Sequence, residues 1–336
     1  MIIKKDSLSP RIFVILFSLV LLLATQFFTA CKIEPTTDQS TKNKTDKPKD
    51  DTGKNTLGDK QLKIHMLDIG QGDSILIVTP EKKTVLVDAG LVKAGDKIIE
   101  TLEKYGISQI DLMVATHPHA DHIGGMPKVI KAVPVKAFLD SGQEHPTATY
   151  EKLLTTVKEE IGKLTIARAG QNFELDSGVK IKILGPSKPL LEKVSGSIEN
   201  ANSVIMMLSY GDFRMLFTGD SEDETEERLL EKNFDLKAQV LKVAHHGSQY
   251  ASSDEFLEKV SPEVALISCG EDNNYGHPSP PTLEKFKKAK VKVYRTDLQG
   301  EVTVISDGKN YQVKTDHKAT GDLWAGRTSS KRSKSE

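Results

Sequence analysis

The segment at residues 116–125, THPHADHIGG, constrains the fold of this chain more than any other. His117 and His119 lie two residues apart, which in an extended backbone puts both imidazoles on the same side. Asp121 and His122 follow where the chain must bend, and they can reach a second point. Two metal ions held in this way can generate hydroxide from water and bind both oxygens of a displacement at phosphorus or a carbonyl. Imidazole and carboxylate together suit zinc, iron or manganese.

The flanks of this histidine motif favour a metal site over a histidine-rich loop without metal. The preceding run, residues 110–115 (IDLMVA), is short, apolar and partly β-branched, as expected of a buried strand. The pair Gly124-Gly125 permits a tight passage into the next helix. Since α/β proteins place their chemistry at the ends of buried strands, we interpret the motif as metal-binding.

Composition is typical of a globular protein and excludes few functions. The chain has 336 residues, of which 38% are hydrophobic and 28% charged, enough for one large domain or two small ones. A formal net charge of -1 provides no overall field that attracts nucleic acid, so a polyanion site would need a local patch. Cys31 and Cys269 are the two cysteines, which excludes a disulfide framework.

Residues 1–31 are predicted to be a secretory signal. A basic start precedes an uncharged run from Ile12 to Ala30, and the segment closes with Phe28-Thr29-Ala30-Cys31. These four residues resemble the lipobox of bacterial lipoproteins, although Phe28 replaces the usual Leu, and imply lipidation of Cys31. An uncleaved anchor is the alternative, since nineteen uncharged residues can just span a bilayer. Both interpretations predict an extracytoplasmic protein, tethered to the outer face of a bacterial cell membrane.

The folded domain is predicted to occupy residues 61–315. Residues 32–60 are polar, cannot bury enough apolar surface to offset their ordering entropy, and are expected to form a disordered stalk. Residues 316–336 are expected to form a disordered tail, with the packing of Trp324 left open. Strands and helices interleave between these ends, which predicts an α/β layered domain.

Three successive predicted strands in the second half each lead into a segment with Asp or His, which is difficult to ascribe to packing. The segments are Thr218-Gly219-Asp220, His245-His246-Gly247-Ser248 and Asn274-Tyr275-Gly276-His277-Pro278. Asp220 also precedes a predicted helix, so capping is a second role open to it.

Several other residues are open to a structural or a functional interpretation. Asp88 follows a predicted strand and either caps a turn or supports the metal ligands, and we favour support. His65 alternates with apolar neighbours, which indicates a structural histidine. Cys269 is most simply a buried apolar residue. A lysine cluster either forms a local patch for DNA or lies on a solvated face, and its members are Lys242, Lys285, Lys287 and Lys288.

These motifs together resemble the metallo-β-lactamase superfamily, and more closely the extracytoplasmic hydrolase domain of the ComEC family of DNA-uptake competence proteins. The superfamily motif is His117-x-His119-x-Asp121-His122. The closer likeness rests on residues 67–74 (LDIGQGDS), 218–220 (TGD), 241–248 (LKVAHHGS), 275–278 (YGHP) and 296–300 (TDLQG). It covers residues 61–315 but not the membrane channel of that family, which implies a stand-alone, surface-tethered relative.

The resemblance implies a single-domain αββα sandwich with two divalent metal ions, zinc or manganese, at one edge. Position by position, His117 and His119 would hold the first ion, Asp121 and His122 the second, and Asp220 would bridge them. Asp121 would also be one of the catalytic residues.

The last histidine ligand has two candidates under this resemblance. His277 fits the place after the final core strand, and His245 is the competing assignment. With His277 as ligand, the catalytic groups His245, His246 and Ser248 would contact phosphate or donate a proton to the leaving oxygen.

One position departs from the superfamily pattern. Asn200 stands where a third histidine usually holds the first ion. An amide oxygen is a harder and weaker ligand than imidazole, so we expect this site to hold zinc less tightly and to accept manganese better.

The function implied is a metal-dependent phosphodiesterase, a nuclease acting on extracellular DNA. Its partners would be a polyanionic phosphodiester substrate and the membrane, and no obligate protein partner is inferred. One alternative is a phosphodiesterase acting on teichoic acid or phosphorylcholine. Another, of a different class, is a binding lipoprotein that keeps the fold without catalysis.

Overall fold

The computed structural model describes residues 60–271 and 273–327. The predicted signal, the lipidation of Cys31 and the stalk up to residue 59 lie outside the described residues. Within the described ranges, every helix is too short or too polar to cross a membrane.

Fifteen strands are present in the described ranges, and most are short and almost fully buried. They are β1 (Leu62–Met66), β2 (Ile75–Val78), β3 (Thr84–Val87), β4 (Leu112–Ala115), β5 (Phe138–Asp140), β6 (Leu164–Ile166), β7 (Asn172–Asp176), β8 (Val179–Gly185), β9 (Ile205–Tyr210), β10 (Phe213–Phe217), β11 (Val240–Lys242), β12 (Val264–Ile267), β13 (Lys292–Arg295), β14 (Val302–Ser306) and β15 (Tyr311–Thr315).

Nine α-helices accompany these strands in the same part of the chain. They are α1 (Ala94–Lys104), α2 (Ala120–Ile123), α3 (Met126–Ala132), α4 (Ala148–Glu160), α5 (Ile198–Ala201), α6 (Asp223–Glu231), α7 (Asp254–Val260), α8 (Pro280–Lys288) and α9 (Thr296–Gln299).

The strands form two mixed sheets. The first sheet has the order β15-β14-β1-β2-β3-β4-β5-β6, with parallel pairing from β3 to β6. The second has the order β13-β12-β11-β10-β9-β8-β7, with parallel pairing from β10 to β13. The ends of the parallel strands are where chemistry is expected in such sheets.

Alternation along the strands determines which side chains lie between the two sheets. In β1, Leu62, Ile64 and Met66 belong to a central core that also contains residues of the second sheet, such as Ile181 of β8 and Phe217 of β10. Fully burying such a side chain stabilises the fold by roughly 1.5 to 3 kcal/mol. The sheets therefore pack face to face.

Helices cover the outer face of each sheet. Ile98 and Leu102 of α1 lie one turn apart and pack with Met113 of β4 on the first sheet. Phe256 of α7 and Phe286 of α8 pack on the second. The four layers confirm the predicted α/β class and the αββα sandwich.

The predicted disordered tail differs from the structure over residues 316–327. The buried guanidinium of Arg295 donates to the carbonyl oxygens of Leu323 and Ala325. Arg327 donates to Asp297 at 2.7 Å, and Trp324 packs against the core on the helix side of the second sheet. The segment is held because buried donors need acceptors. Residues 328–336 lie outside the described residues.

Candidate metal centre and active-site cavity

The histidine motif follows β4 directly, as predicted. His119 has extended backbone and precedes α2, a single helical turn that carries Asp121 and His122. Gly125 must be glycine because a Cβ there would collide with the backbone carbonyl oxygen of Ala89. At Gly72, whose φ is +118°, a Cβ would collide with the carbonyl oxygen of Asp121. Close backbone approach on two sides therefore fixes the motif.

Asp220 stands at the centre of the candidate site. Its Oδ2 atom lies 3.2 Å from Nε2 of His122, 3.4 Å from Nε2 of His246 and 3.8 Å from Nε2 of His117. The carboxylate is almost fully buried and follows β10 of the second sheet, whereas His117 and His122 follow β4 of the first. Side chains from both sheets thus meet at one point.

A short 3₁₀ turn over Ala244–Gly247 directs His246 inward and His245 outward. Both histidines have left-handed backbone, with φ of 47° and 53° for His245 and His246. The left-handed conformation costs a residue other than glycine roughly 1 to 2 kcal/mol. His246 is 1% exposed, and its Nε2 lies 3.3 Å from Nε2 of His122 and 3.5 Å from Oδ2 of Asp121. The turn thus gives His246 the position of a ligand.

This geometry favours His246 over the two residues expected as the last histidine ligand, His277 and its alternative His245. His245 lies farther out, with Nε2 4.0 Å from Asp220 and Nδ1 3.1 Å from Glu222. The His277 ring centroid is 6.3 Å from that of His246. Some described His and Asp side chains have ligand atoms close enough together to hold one metal ion, and His277 belongs to none of these groups. The left-handed turn at His245 and His246 is the local feature that points His246, and not His245, to the centre of the site.

The hydrogen bonds of two histidines leave the correct nitrogen free to bind a metal ion. Nδ1 of His122 lies 2.8 Å from the Asp88 carboxylate, and Nδ1 of His246 lies 2.9 Å from the carbonyl oxygen of Ser268. Because Nδ1 of each ring donates its hydrogen bond to one of these acceptors, Nε2 of His122 and Nε2 of His246 are left to face each other and Asp220. Such orientation by a carboxylate or carbonyl is typical of metal-binding histidine.

The electrostatics of the site also favour a cation. Burial lowers the pKa of His122, but Asp220 and Asp88 outweigh it and raise this pKa well above its usual value. For His246, Asp220 and Asp73 outweigh burial and raise the pKa to about 10. The buried carboxylates of Asp88 and Asp220 therefore draw positive charge into this pocket, which a divalent ion would supply.

The first-ion group contains His117, His119 and Asn200. Nε2 of His117 lies 3.1 Å from Nδ1 of His119. Nδ2 of Asn200 donates a hydrogen bond to Glu222 at 3.0 Å, and its Oδ1 is buried with no hydrogen-bond partner among the described residues. Oδ1 of Asp220 is unpaired in the same way. Unpaired buried oxygens are costly, and metal coordination would satisfy both, so these residues fit the implied ions.

The Asp88 carboxylate accepts hydrogen bonds from the start of the histidine motif. One of its oxygens accepts the backbone N–H of Thr116 at 2.8 Å, and the other accepts the Thr116 hydroxyl at 2.6 Å. The same carboxylate contacts His122. Asp88, which follows β3, is thereby tied to two points of the histidine motif that follows β4.

Sequence reasoning missed Asp73 and misplaced Lys242. The Lys242 ammonium is 2.7 Å from Asp73, whose second oxygen lies 3.4 Å from Nδ1 of His246. Lys242 is 1% exposed, so it does not belong to a surface patch for DNA. The signal that was available is the Gly70-Gln71-Gly72-Asp73 turn, which places an acid directly after a strand-end loop.

Ser248 is also placed differently from its predicted catalytic role. It is buried, its backbone carbonyl accepts the Thr282 hydroxyl, and its own hydroxyl accepts the backbone N–H of Tyr250. These bonds order the loop into α7 and α8. Ser248 does not line the metal cavity in the described part of the chain.

A cavity of about 360 Å³ opens beside the metal donors. It is lined by Gln71, Leu91, His119, Ala120, Asp121, Asn200, Asp220, His245, His246, Tyr275 and His277. The described lining residues include neither Lys nor Arg. An anionic substrate would therefore be balanced by the bound ions and by neutral donors.

The sequence matches the family model described as "Metallo-beta-lactamase superfamily" over residues 67–271. ComE operon protein 3 of Bacillus subtilis (strain 168) is 29% identical over 256 residues, covering 71% of this chain and 32% of that protein. Competence protein ComA of Neisseria gonorrhoeae is 30% identical over 244 residues, covering 72% and 32%. Recombination protein 2 of Haemophilus influenzae is 28% identical over 246 residues, covering 72% and 28%.

The chain spans less than a third of the length of each of these relatives. Two of the three names refer to competence or to the ComE operon, which confirms the resemblance to competence proteins. The family match and the convergent His and Asp donors support a metal-dependent hydrolase. The chain belongs to the metallo-beta-lactamase superfamily.

Proposed function

We propose that this protein is a metal-dependent phosphodiesterase that hydrolyses DNA. The observation that carries the proposal is the position of Asp220, whose Oδ2 lies within 4.0 Å of Nε2 of four histidines from two different sheets. A carboxylate at that junction can bridge two ions. When bound, such ions activate water and stabilise charge on the attacking and leaving oxygens of a phosphodiester.

Two groups of residues would hold the ions. The first ion would be held by His117, His119 and the amide oxygen of Asn200, with Asp220 shared. The second would be held by Asp121, His122 and His246. Oxygen donors are prominent in this set, which suits manganese as well as zinc.

The remaining residues orient these donors and the substrate. Asp88 fixes the ring of His122, and Asp73 with Lys242 lies against the ring of His246. His245 and His277, whose ring centroids are 5.2 Å apart, line the open side of the cavity. We assign them contacts with the phosphate oxygens, because an imidazole N–H group can donate a hydrogen bond to an anion.

The relatives favour a DNA substrate over a β-lactam. Their names refer to competence and recombination, which are processes that act on DNA. The chain covers less than a third of those proteins, so its substrate is part of our proposal. We also propose that Cys31 is lipidated and tethers the domain outside the cytoplasm, where extracellular DNA is available.

The test is hydrolysis by the purified full-length protein after metal removal and reconstitution. Substrates are single- and double-stranded DNA, teichoic acid, a phosphorylcholine diester and bis-para-nitrophenyl phosphate. We expect DNA hydrolysis, and a loss of roughly a hundredfold or more in Asp220→Asn, with an unchanged circular dichroism spectrum. Hydrolysis of teichoic acid or the phosphorylcholine diester but not of DNA would replace the proposed substrate. No turnover of any substrate with either metal would indicate a binding protein instead.

A further inference from the structure

An exposed aromatic ring stands at the mouth of the metal cavity. Tyr275 is 64% exposed and lines the same cavity as Asp121, Asp220 and His246. The ring is therefore accessible to a molecule that enters this cavity.

The Tyr275 ring is held in place with one face free. Its inner face stacks on His277, with ring centroids 5.8 Å apart and an angle of 22° between the planes. Oδ1 of Asn273 accepts the backbone N–H groups of Tyr275 and His277 at 3.2 and 3.0 Å. Nδ2 of Asn273 donates to the carbonyl oxygens of Gly270 and His277. These bonds order the loop that carries the ring, which reduces the entropy lost when a ligand packs on it.

The surroundings of the ring indicate which group it receives. A flat, neutral face next to a phosphate-binding centre suits a nucleobase, and stacking of a base on an aromatic side chain contributes roughly 1 to 3 kcal/mol. The described lining residues include no Lys or Arg that would follow a polyanionic backbone, so affinity would come from the ions, from the lining imidazoles and from such stacking.

A quaternary ammonium group fits this ring less well. Recognition of choline typically uses a cage of several aromatic faces. Tyr275 is the one Phe, Tyr or Trp among the described residues that line the cavity, and His277 already covers one of its faces. A single free face matches one planar base.

We propose that Tyr275, backed by His277, is a stacking subsite for the base next to the scissile phosphate, and that single-stranded DNA is therefore the preferred substrate. This inference rests on the proposed phosphodiesterase function. Bases of a duplex are stacked on each other and are not available to the ring, whereas bases of a single strand are. Tyr275 acts in substrate positioning and does not take part in the chemical step.

The test compares four substrates and three variants of the metal-loaded full-length protein. The substrates are a single-stranded oligonucleotide, its duplex, the same length of abasic phosphodiester backbone and the phosphorylcholine diester. Tyr275→Ala should raise the KM for the oligonucleotide about tenfold, which corresponds to about 1.4 kcal/mol, and leave the abasic backbone unchanged. Tyr275→Phe keeps the ring and should stay within about twofold of the wild type. Tyr250→Ala is the matched control, because Tyr250 is 59% exposed but lines a different cavity beside Glu222.

A binding readout separates this inference from the proposed function. An oligonucleotide that contains 2-aminopurine reports base stacking by fluorescence, and metal-stripped protein cannot cleave it. A fluorescence change with the wild type and Tyr275→Phe but not with Tyr275→Ala supports the subsite even if no DNA is hydrolysed. Equal effects of Tyr275→Ala on oligonucleotide and abasic backbone would overturn it. So would a preference for duplex, or a loss confined to the phosphorylcholine diester, which would assign the ring to a choline group.

Discussion

The ammonium group of Lys242 lies 2.7 Å from the carboxylate of Asp73, and both side chains are almost completely buried next to His246. Burial raises the pKa of Asp73, but Lys242 and His246 outweigh it and lower this pKa to about 2. The acid is therefore ionised at neutral pH. Its charge is balanced within the protein, on the side of His246 that faces away from Asp220.

Lys242→Met should destabilise the protein strongly. Removing one partner of a buried pair leaves the other charge uncompensated, which costs about 3 to 5 kcal/mol. Lys287→Met, at an exposed position of α8, should leave stability nearly unchanged. Urea unfolding of the two variants measures the difference. Because Asp73→Asn/Lys242→Met removes both charges, it should recover part of the loss, and a double variant no better than Lys242→Met would contradict the pairing.

His246→Ala should lose bound metal, whereas His277→Ala should retain it. The reason is that Nε2 of His246 points at Asp121 and Asp220, while His277 stands on the open side of the cavity. Metal content of the purified variants, measured by mass spectrometry, gives the result independently of turnover. Full metal content in His246→Ala together with loss in His277→Ala would restore His277 as the last ligand.

Manganese should support activity at least as well as zinc, and Asn200→His should shift the preference toward zinc. The Asn200 amide oxygen is free to coordinate, and imidazole in its place is a softer, stronger ligand. Metal-stripped wild type and variant are titrated with each ion, and affinity and rate are both recorded. Wild-type activity with zinc alone, or an unchanged preference in Asn200→His, would refute this prediction.

Asp140→Asn should change how stability depends on pH. Burial raises the pKa of Asp140 to about 6, although the Gly142 N–H, the Tyr150 hydroxyl and Arg168 oppose the shift. Because the folded pKa lies above the unfolded one, the stabilising contribution of this carboxyl is complete below about pH 4 and is lost as the pH rises through 6. The loss is about 3 kcal/mol, at about 1.4 kcal/mol for each pKa unit.

The asparagine variant keeps the local hydrogen bonds. Both the Gly142 N–H and the Tyr150 hydroxyl donate to Oδ1 of Asp140, which an amide oxygen can replace. Its free energy of unfolding should therefore rise relative to the wild type between pH 4 and pH 7. Parallel urea titrations at those two pH values measure this, and a constant difference between the proteins would exclude a raised pKa.

Cys31→Ser should release the protein from the membrane fraction if Cys31 carries the lipid. The uncleaved anchor predicts the opposite, because the apolar run from Ile12 to Ala30 would remain. Cell fractionation and immunoblotting distinguish the two. Cys269→Ser is the matched control, since Cys269 is buried in the folded domain and should not affect fractionation.

The fold and half of the site could be predicted from the sequence. The His117 to His122 motif is local, and a buried strand followed by a glycine-pinned turn can be read from adjacent residues. The position of Asp220 followed from the same logic, because β10 is apolar and ends just before it. These features depend on periodicity and spacing, which sequence displays directly.

The errors concern residues whose environment is set by distant segments. His246 and His245 are adjacent, and only the left-handed turn decides which one faces Asp220. Lys242 was expected at the surface, because its partner Asp73 is far away in the chain. The acceptors for Arg295 lie nearly thirty residues later, so the ordered segment after residue 316 gave no local signal.

The origin of the donors in two different sheets has a mechanical consequence. His117 and His122 are attached to β4, and Asp220 and His246 to β10 and β11, so any ion bound to both groups would cross-link the two halves of the sandwich. A ligand that binds only the native state raises the free energy of unfolding by RT ln(1 + [L]/Kd). Chelation should consequently lower the free energy of unfolding of the whole sandwich. The concentration of free ions would then set how long the protein stays folded as well as how fast it hydrolyses its substrate.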